Sequence, residues 1–268
     1  MITTHIGGHR VHESLRHYLD FATETAWHAG RLTLGHFQTG VRPEHKADDS
    51  PVTIADREAE QFIRARIEQA FPAHAIMGEE FGENEQQNAS HRWYVDPIDG
   101  TRAFVRGVPL YAVLLGLEIE GRCEVGVAYF PALEELIAAA SGEGCWWNGR
   151  PAHVSTVPAL GQGILTHGNA AAFERHGRGD AWRRLQHAAG FCAGWADAYA
   201  YLLVATGRAE VGLDPVMSAW DCAPFPPILR EAGGYFGDWD GNETIHAGEA
   251  LATTRALIDE VLRVIRGP

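Results

Sequence analysis

Apolar residues recur at helical spacing in the first third of the chain. From Ser14 to about Phe37 they return every three or four positions, which predicts a helix that Gly40 terminates. The same period predicts a second helix from about Thr53 to Pro72. Short apolar runs divided by Gly and Pro then predict strands. These cover Ala75–Met77, Trp93–Val95, Tyr111–Ile119, Glu124–Phe130 and Glu135–Ala140, with a tight turn at Asn148-Gly149.

Helices and strands alternate in the rest of the chain. Blocks of both element types predict an α+β fold of layered helices and sheets. No repeat or Pro/Ser-rich linker divides the sequence, so we expect a single domain over residues 1–268, with possible sub-domains of about 1–150 and 151–268. The predicted helices are Ala181–Gly190, Ala196–Thr206, one within about Asp221–Ala232 and one from about Thr253 to Ile265, and the predicted strands are Glu210–Leu213 and Tyr235–Asp238.

Composition narrows the function. With 22 basic and 35 acidic residues the formal charge is 22 − 35 = −13, which argues against a nucleic-acid backbone binder. No apolar stretch reaches the roughly 20 residues that span a bilayer, and the N-terminus shows no apolar signal region, so we expect a cytoplasmic protein with no membrane partner. The cysteines show no CxxC spacing, which predicts reduced thiols at Cys123, Cys145, Cys192 and Cys222.

The densest chemical signal is the segment from Trp93 to Thr101, WYVDPIDGT. A strand delivers Asp96 to its carboxyl end, Pro97 bends the chain, and Asp99 returns to the same space three residues later. Two oxygen ligands at one turn suit Mg²⁺. Gly100 permits close approach of a ligand to the backbone, and Thr101 can open a helix whose N–H groups face an anion. A plain Asp/Gly turn with a capping Thr is the alternative.

Two further acidic residues extend this pattern. The segment Gly78-Glu79-Glu80 follows the predicted strand His74–Met77, which puts Glu79 at a strand end. Asp221 precedes a predicted helix, where it could equally be an ordinary N-cap. Together with Asp96 and Asp99 they supply four carboxylates. Buried together without cations these would repel one another, so metal binding is the economical explanation.

An upstream segment, KADDSPVTIAD, contains Thr53-x-x-Asp56. This pattern is typical of a capping box, but beside a metal cluster Asp56 could instead hold Thr101 or a water. The polar stretch from Glu44 to Ser50 is predicted to be a mobile loop that can close over a ligand. The spacing of His5, His9 and His12 invites a metal interpretation, yet solvated side chains are the simpler one. No GxGxxG follows a strand, so a dinucleotide site has no support.

The chain resembles the inositol monophosphatase superfamily over about residues 10–265. The resemblance rests on five motifs that occur in the family's order, namely KADDSPVTIAD, GEE, WYVDPIDGT, WD and EAGG. Within it, KADDSPVTIADREAE, FVRGVP and DAYAY are most similar to the bacterial histidinol-phosphatase branch. The resemblance implies a five-layered αβαβα fold, a homodimer and Mg²⁺ as cofactor, with two or three ions per active site. Two departures from the pattern are Cys192, where many relatives of this branch have arginine near the substrate, and the extra prolines Pro224 and Pro226 after WD.

Residue by residue, the resemblance implies roles for the motif positions. Glu79, Asp96 and the Ile98 carbonyl match the ligands of a first metal, and Asp96, Asp99 and Asp221 match those of a second. Gly100 and Thr101 match phosphate contacts, and Asp197 and Asp214 match contacts to the leaving group. The implied catalytic residues are Asp56, Glu79 and Thr101, with Asp56 and Thr101 activating water. The implied substrate contacts are Glu79, Ile98, Asp99, Gly100, Thr101, Asp197, Asp214 and Asp221.

The resemblance implies a Mg²⁺-dependent phosphomonoesterase that converts L-histidinol phosphate to L-histidinol and phosphate in histidine biosynthesis. Anionic Asp197 and Asp214 suit the ammonium and imidazole of histidinol better than neutral hydroxyls. Inositol monophosphate is the main alternative substrate, and a bisphosphorylated nucleotide is a more distant one. A non-catalytic protein that binds metal or phosphate is the alternative from another class.

Overall fold

The computed structural model describes residues 14–46, 50–84, 86, 89–195 and 197–267. The histidines His5, His9 and His12, residues 47–49 of the upstream motif, and Ala196 lie outside these ranges, so the predictions made for them are not addressed by the structure. No helix of the described part is both long enough and apolar enough to cross a bilayer.

In the described ranges the helices are α1 (Leu15–His36), α2 (Ile54–Ala70), α3 (Thr101–Val105), α4 (Ala170–Arg175), α5 (Gly179–Ala188), α6 (Ala198–Ala205), α7 (Ala219–Cys222), α8 (Phe225–Glu231) and α9 (Ile258–Arg266), with 3₁₀ turns at Pro131–Leu133 and Leu160–Gln162. The strands are β1 (Glu44–His45), β2 (Pro51–Val52), β3 (Ala75–Gly78), β4 (Gly82–Glu83), β5 (His91–Asp99), β6 (Ala112–Ile119), β7 (Arg122–Phe130), β8 (Glu135–Ala140), β9 (Gly144–Trp147), β10 (Arg150–Pro151), β11 (Ile164–His167), β12 (Phe191–Ala193), β13 (Val211–Asp214), β14 (Gly234–Gly237) and β15 (Ala250–Thr254).

Two large sheets organise these elements. The first has the order β10-β9-β8-β7-β6-β5-β3-β4 and is antiparallel except where β3 runs parallel to β5. The second has the order β12-β11-β13-β15-β14, and β12, β11 and β13 are parallel to one another. The chain passes from the first sheet to the second between Pro151 and Ile164.

Hydrophobic packing stacks the sheets and helices in five layers. Helices α1 and α2 bury their apolar faces, including Ala22 and Ile63, on one face of the first sheet. Between the two sheets lie α6 and α8, whose side chains, such as Tyr201 and Phe225, share one core with residues of both sheets. Helices α5 and α9 cover the outer face of the second sheet through residues such as Leu185. The α+β architecture with αβαβα layers is therefore confirmed.

Most predicted elements are found within a few residues of their expected bounds, and the differences have local causes. The predicted helix from Thr253 to Ile265 was wrong at its start, because Thr253 and Thr254 pair with β14 as the end of strand β15. Strands β11 and β12 and helix α4 were not predicted. The helix after Asp221 is divided into α7 and α8 around Pro224, since proline has no N–H to donate within a helix.

Candidate metal centre and active site

Strand β5 brings Asp96 and Asp99 to one side of the first sheet. Side chains alternate along a strand, so residues three apart normally face opposite ways. Here the pairing with β6 shifts between Asp96, opposite Leu114, and Asp99, opposite Ala112, which places one additional residue on β5. Such a bulge reverses the alternation and returns Asp99 to the side of Asp96. Pro97, which has no N–H to give to the ladder, lies within the bulge.

Helix α3 begins at the end of this strand. Its N-cap, Gly100, has φ 81°, and a β-carbon there would lie 3.0 Å from both the Asp197 carboxylate and the Leu110 carbonyl, so only glycine fits. The Thr101 hydroxyl lies 3.1 Å from the Ile98 carbonyl oxygen. The expectation that Thr101 opens a helix is confirmed, although α3 has only five residues.

Asp221 joins these carboxylates from the other half of the chain. It is the third residue of α7, which packs against β5, and its Oδ2 accepts the Ser218 N–H at 2.8 Å. The interpretation of Asp221 as an N-cap was therefore wrong, since Ser218 is the N-cap. Carboxylate oxygens of Asp96, Asp99 and Asp221 lie within 4.8 Å of one another.

The three carboxylates destabilise one another's charged forms. Burial, reinforced by the charges of Glu79, Asp99 and Asp221, raises the pKa of Asp96 well above its usual value. Burial and the charge of Asp197 do the same to the pKa of Asp99. Burial raises the pKa of Asp221 to about 6. In the described ranges, none of Asp96, Asp99 and Asp221 forms an ion pair with Lys, Arg or His.

Glu79 lies at the edge of this cluster, where it contacts a lysine. Its N–H donates to the Val95 carbonyl at 3.1 Å, so Glu79 follows β3 directly beside the end of β5. The Lys46 ammonium is 2.8 Å from an oxygen of Glu79 and 2.8 Å from an oxygen of Glu80. Burial alone would lower the pKa of Lys46, but these two carboxylates raise it above its usual value, and burial raises the pKa of Glu80 to about 7.

A buried carboxylate of helix α2, that of Glu60, stabilises the turn formed by Gly78, Glu79 and Glu80. Glu60 of α2 is fully buried and accepts the N–H groups of Glu80 at 2.7 Å and Phe81 at 3.2 Å. Arg64, one helical turn later, donates to the same carboxylate at 2.7 Å. A β-carbon on Gly78 would lie 2.0 Å from a Glu60 oxygen, so glycine is required for this close approach. These contacts fix the turn that carries Glu79.

Asp56 serves both of the interpretations that its motif permits. Its Oδ2 accepts the Thr53 N–H at 2.8 Å and the Thr53 hydroxyl at 2.6 Å, and these bonds belong to the capping box that starts α2. Its Oδ1 lies 3.3 Å from the Thr101 hydroxyl. Asp56 is fully buried, and burial raises its pKa. The capping box and the Asp56–Thr101 contact are thus formed by opposite oxygens of one carboxylate.

Asp197 borders both the turn at Gly100 and the carboxylate cluster. It is the N-cap of α6 with φ 54° and ψ −148°, a backbone region that is almost restricted to glycine. The following N–H, that of Ala198, donates to Asp99 Oδ2 at 2.8 Å, which ties this strained residue to the cluster. Burial raises the pKa of Asp197.

Asp214 ends β13 and is held by two neutral donors. The Gly168 N–H donates to its Oδ1 and the Tyr201 hydroxyl to its Oδ2, both at 3.1 Å. Burial, followed by the charge of Asp197, raises the pKa of Asp214 to about 8.

Cys192, by contrast, points away from these carboxylates. It is half-buried against helices α5 and α9, with its Sγ 3.9 Å from the Gln186 carbonyl oxygen. The described cysteines are all free thiols.

The carboxylate cluster fits a hard divalent cation. One buried and two half-buried carboxylates converge, nitrogen and sulfur ligands are absent from the described cluster, and no described Lys, Arg or His forms an ion pair with these three carboxylates. Asp96, Asp99 and Asp221 would hold such an ion, with Glu79 and the Ile98 carbonyl at the margin. The N–H groups at the start of α3 follow directly after Asp99 in the chain.

The sequence analysis missed the partners of this site. Lys46 was treated as part of a polar loop, and Glu60 and Tyr201 were not singled out. A signal existed only for Lys46, since an isolated cation before a run of acidic residues is a natural counter-charge. The contacts of Glu60 and Tyr201 depend on packing between elements that are distant in sequence.

Comparison with known proteins gives consistent matches over most of the chain. A model of the inositol monophosphatase family matches residues 14–266. A protein of Chlorobaculum parvum named histidinol-phosphatase is 43% identical over 88% of this chain and 91% of its own length. A Mesorhizobium japonicum protein named inositol-1-monophosphatase is 33% identical over 93% and 96%. The solved structure of an inositol monophosphatase from Anabaena superposes with a TM-score of 0.84 at 30% identity, covering 94% of this chain and 96% of that one.

Proposed function

This chain belongs to the inositol monophosphatase family of phosphoric monoester hydrolases, and we propose that its substrate is L-histidinol phosphate and its cofactor is Mg²⁺. The observation that carries the choice of substrate is the pair Asp197 and Asp214, a half-buried and a buried acidic residue near the turn at Gly100. The relative named histidinol-phosphatase is also more similar to this chain than the relative named inositol-1-monophosphatase.

The phosphate end of the substrate would bind at the start of α3. Backbone N–H groups of Gly100 and Thr101 would donate to non-bridging phosphate oxygens, since they open a helix beside the carboxylate cluster. Asp96, Asp99, Asp221, Glu79 and the Ile98 carbonyl would hold Mg²⁺. Bound Mg²⁺ supplies Lewis-acid polarisation of the phosphoryl group and strengthens water as an acid.

Thr101 and Asp56 would orient the attacking water. The Thr101 hydroxyl can accept a hydrogen bond from water while it donates to Asp56 Oδ1, 3.3 Å away. Asp56 cannot rotate freely, because its other oxygen is held by the capping box of α2. General acid–base help contributes about 10²–10⁴-fold, far below the accelerations of up to about 10²¹ that phosphate monoesters require, so positioning and charge neutralisation must contribute most.

The leaving group would lie against Asp197 and Asp214. Burial raises the pKa of both residues, and the charge of Asp197 raises that of Asp214 further, whereas the charge of Arg102 partly offsets the effect of burial on Asp197. A bound cation would favour the ionised forms of both residues. L-histidinol carries an ammonium group and an imidazole that can be protonated, so it matches this side of the site. A neutral polyol such as inositol would donate hydrogen bonds to the same oxygens without the charge interaction.

The test is a comparison of kcat/KM for L-histidinol phosphate, inositol 1-phosphate and a nucleotide bisphosphate, with Mg²⁺ present and after its removal. We expect the highest value for L-histidinol phosphate and no phosphate release without metal. A higher value for inositol 1-phosphate would replace the proposed substrate. Phosphate release from none of the three would favour a protein that binds phosphate without hydrolysing it.

A further inference from the structure

The parallel strands of the second sheet end beside the candidate leaving-group site. Asp214 is the last residue of β13, and Gly168, which donates to it, follows β11. Strand β12 lies at the outer edge of the same parallel set and ends at Ala193. Ligands of such sheets bind where the carboxyl ends of the strands meet. The residues that follow β12 therefore belong to the same edge as Asp214.

The segment after β12 leads directly to the carboxylates. A methyl group on Gly194 would lie 3.4 Å from the His167 ring, so the segment begins in contact with the end of β11. Its other end is Ala198, whose N–H donates to Asp99. Three peptide units join Trp195 to Ala198, which limits the distance between their α-carbons to about 11 Å.

Two exposed aromatic rings lie at this edge of the sheet, Phe191 at the start of β12 and Trp195 two residues after its end. Phe191 is 56% exposed and Trp195 is 38% exposed, and their ring centroids are 6.4 Å apart. Cys192, between them, packs toward the outer helices, so alternation puts Phe191 on the opposite face, where α6 lies. A large exposed indole next to a polar site is typical of ligand recognition.

We propose that Trp195 forms an aromatic wall of the leaving-group site and selects substrates whose leaving group is a planar cation. This inference rests on the proposed function. Asp197 and Asp214 supply negative charge, and the face of an indole attracts a cation by its quadrupole and stacks on a flat ring. An imidazolium satisfies both the carboxylates and the indole, whereas the puckered ring of a polyol satisfies only the carboxylates. Trp195 is thus a specificity residue for the reaction.

The chain provides a matched control for the test. Trp146 of β9 is 39% exposed, nearly the same as Trp195, but it lies on the first sheet, and its indole N–H donates to the Glu143 carbonyl. Wild type, Trp195→Ala, Trp195→Phe and Trp146→Ala are assayed with Mg²⁺ on L-histidinol phosphate and glycerol 1-phosphate. The leaving group of the second substrate has neither a ring nor a charge.

We expect Trp195→Ala to lower the ratio of the two kcat/KM values about 3- to 30-fold, chiefly through KM for L-histidinol phosphate. Trp195→Phe keeps an aromatic face and should fall between wild type and Trp195→Ala, and Trp146→Ala should keep the wild-type ratio. As a readout without turnover, titration with L-histidinol should quench wild-type tryptophan fluorescence more strongly than that of Trp195→Phe.

The outcomes separate this inference from the function on which it rests. A wild type that does not prefer L-histidinol phosphate would overturn both. A preference that persists in Trp195→Ala and in Trp195→Phe, with equal quenching, would overturn only the role of Trp195. A lower sedimentation mass for Trp195→Ala than for Trp146→Ala would identify the indole as a contact between copies of the chain and would also overturn the inference.

Discussion

Glu60 and Asp96 are both acidic residues buried near the GEE turn, but only Glu60 has its charge compensated by the protein. Glu60 accepts two backbone N–H groups and a guanidinium, each within 3.2 Å. Asp96 accepts the Ile98 N–H at 3.0 Å and otherwise lies among acidic neighbours. Correspondingly, burial and like charge raise the pKa of Asp96 well above its usual value.

This difference separates a structural carboxylate from a functional one. Burying a charge costs several kcal/mol unless hydrogen bonds and an opposite charge offset it. Around Glu60 the fold supplies both, so the residue can stabilise the native state on its own. Around Asp96 the fold supplies further negative charge, so the arrangement is favourable only when a cation from outside binds there.

The largest expected effect is the loss of activity when the metal is removed from the cluster around Asp96. We expect chelation by EDTA to abolish phosphate release and added Mg²⁺ to restore it, because Asp96, Asp99 and Asp221 converge on a site that a cation would occupy. Mg²⁺ at about 100 times its Kd should also stabilise the fold by about 2.7 kcal/mol, measured as a rise in Tm. EDTA saturated with Mg²⁺ is the control, and full turnover in a metal-free preparation would contradict the assignment.

The substitution Asp96→Asn should separate activity from stability. It removes a carboxylate central to the cluster, so we expect kcat to fall by about 10³-fold or more. In EDTA the same change relieves repulsion worth about 1–2 kcal/mol and should raise Tm by roughly 2–8 °C. Asp56→Asn should reduce kcat less, because Asp56 only orients water through Thr101.

Asp259→Asn is the matched control for Asp96→Asn, since Asp259 is exposed on α9. It should change neither kcat nor Tm appreciably. Equal small losses of kcat in Asp96→Asn and Asp56→Asn would show that the centre of the site is misassigned.

Glu60→Gln should lower Tm, whereas Asp96→Asn should raise it in EDTA. It leaves Arg64 with a half-buried guanidinium and no opposite charge, which costs about 3 kcal/mol and lowers Tm by roughly 6–12 °C. Glu68→Gln on the same helix, at an exposed position, should have almost no effect on Tm. If Glu60→Gln proves as stable as Glu68→Gln, the proposed distinction between the two kinds of carboxylate fails.

The smallest expected effect concerns Asp197, whose counter-charge we assign to the substrate. Loss of one charge-assisted hydrogen bond costs about 1.5–3 kcal/mol, so Asp197→Asn should lower kcat/KM for L-histidinol phosphate, relative to glycerol 1-phosphate, about 10- to 100-fold. Asparagine has nearly the same size and shape as aspartate, so this substitution leaves the space that the side chain occupies and the strained backbone at this position almost unchanged. Parallel losses on both substrates would indicate that Asp197 supports the metal site or the fold instead.

Local motifs predicted the parts of the site whose geometry is local. The turn from Asp96 to Thr101 follows from Pro, Gly and Asp within six residues, and the capping box from Thr53 to Asp56 is equally short-range. The same logic failed for Asp221, because the choice of Ser218 as N-cap depends on where the chain enters α7. It also failed for Thr253, whose strand conformation is fixed by pairing with β14.

The sequence alone determined the chemical type of the donors and their order along the chain. Oxygen ligands, a glycine turn and a helix start are encoded within a few residues, where backbone sterics and short hydrogen bonds decide. Only the tertiary structure determined the distances at which Asp221 meets Asp99, that Lys46 contacts Glu79, and that Glu60 is neutralised. The physical reason is that the free energy of a buried charge depends on every group packed around it, and the layered fold brings those groups from distant parts of the chain.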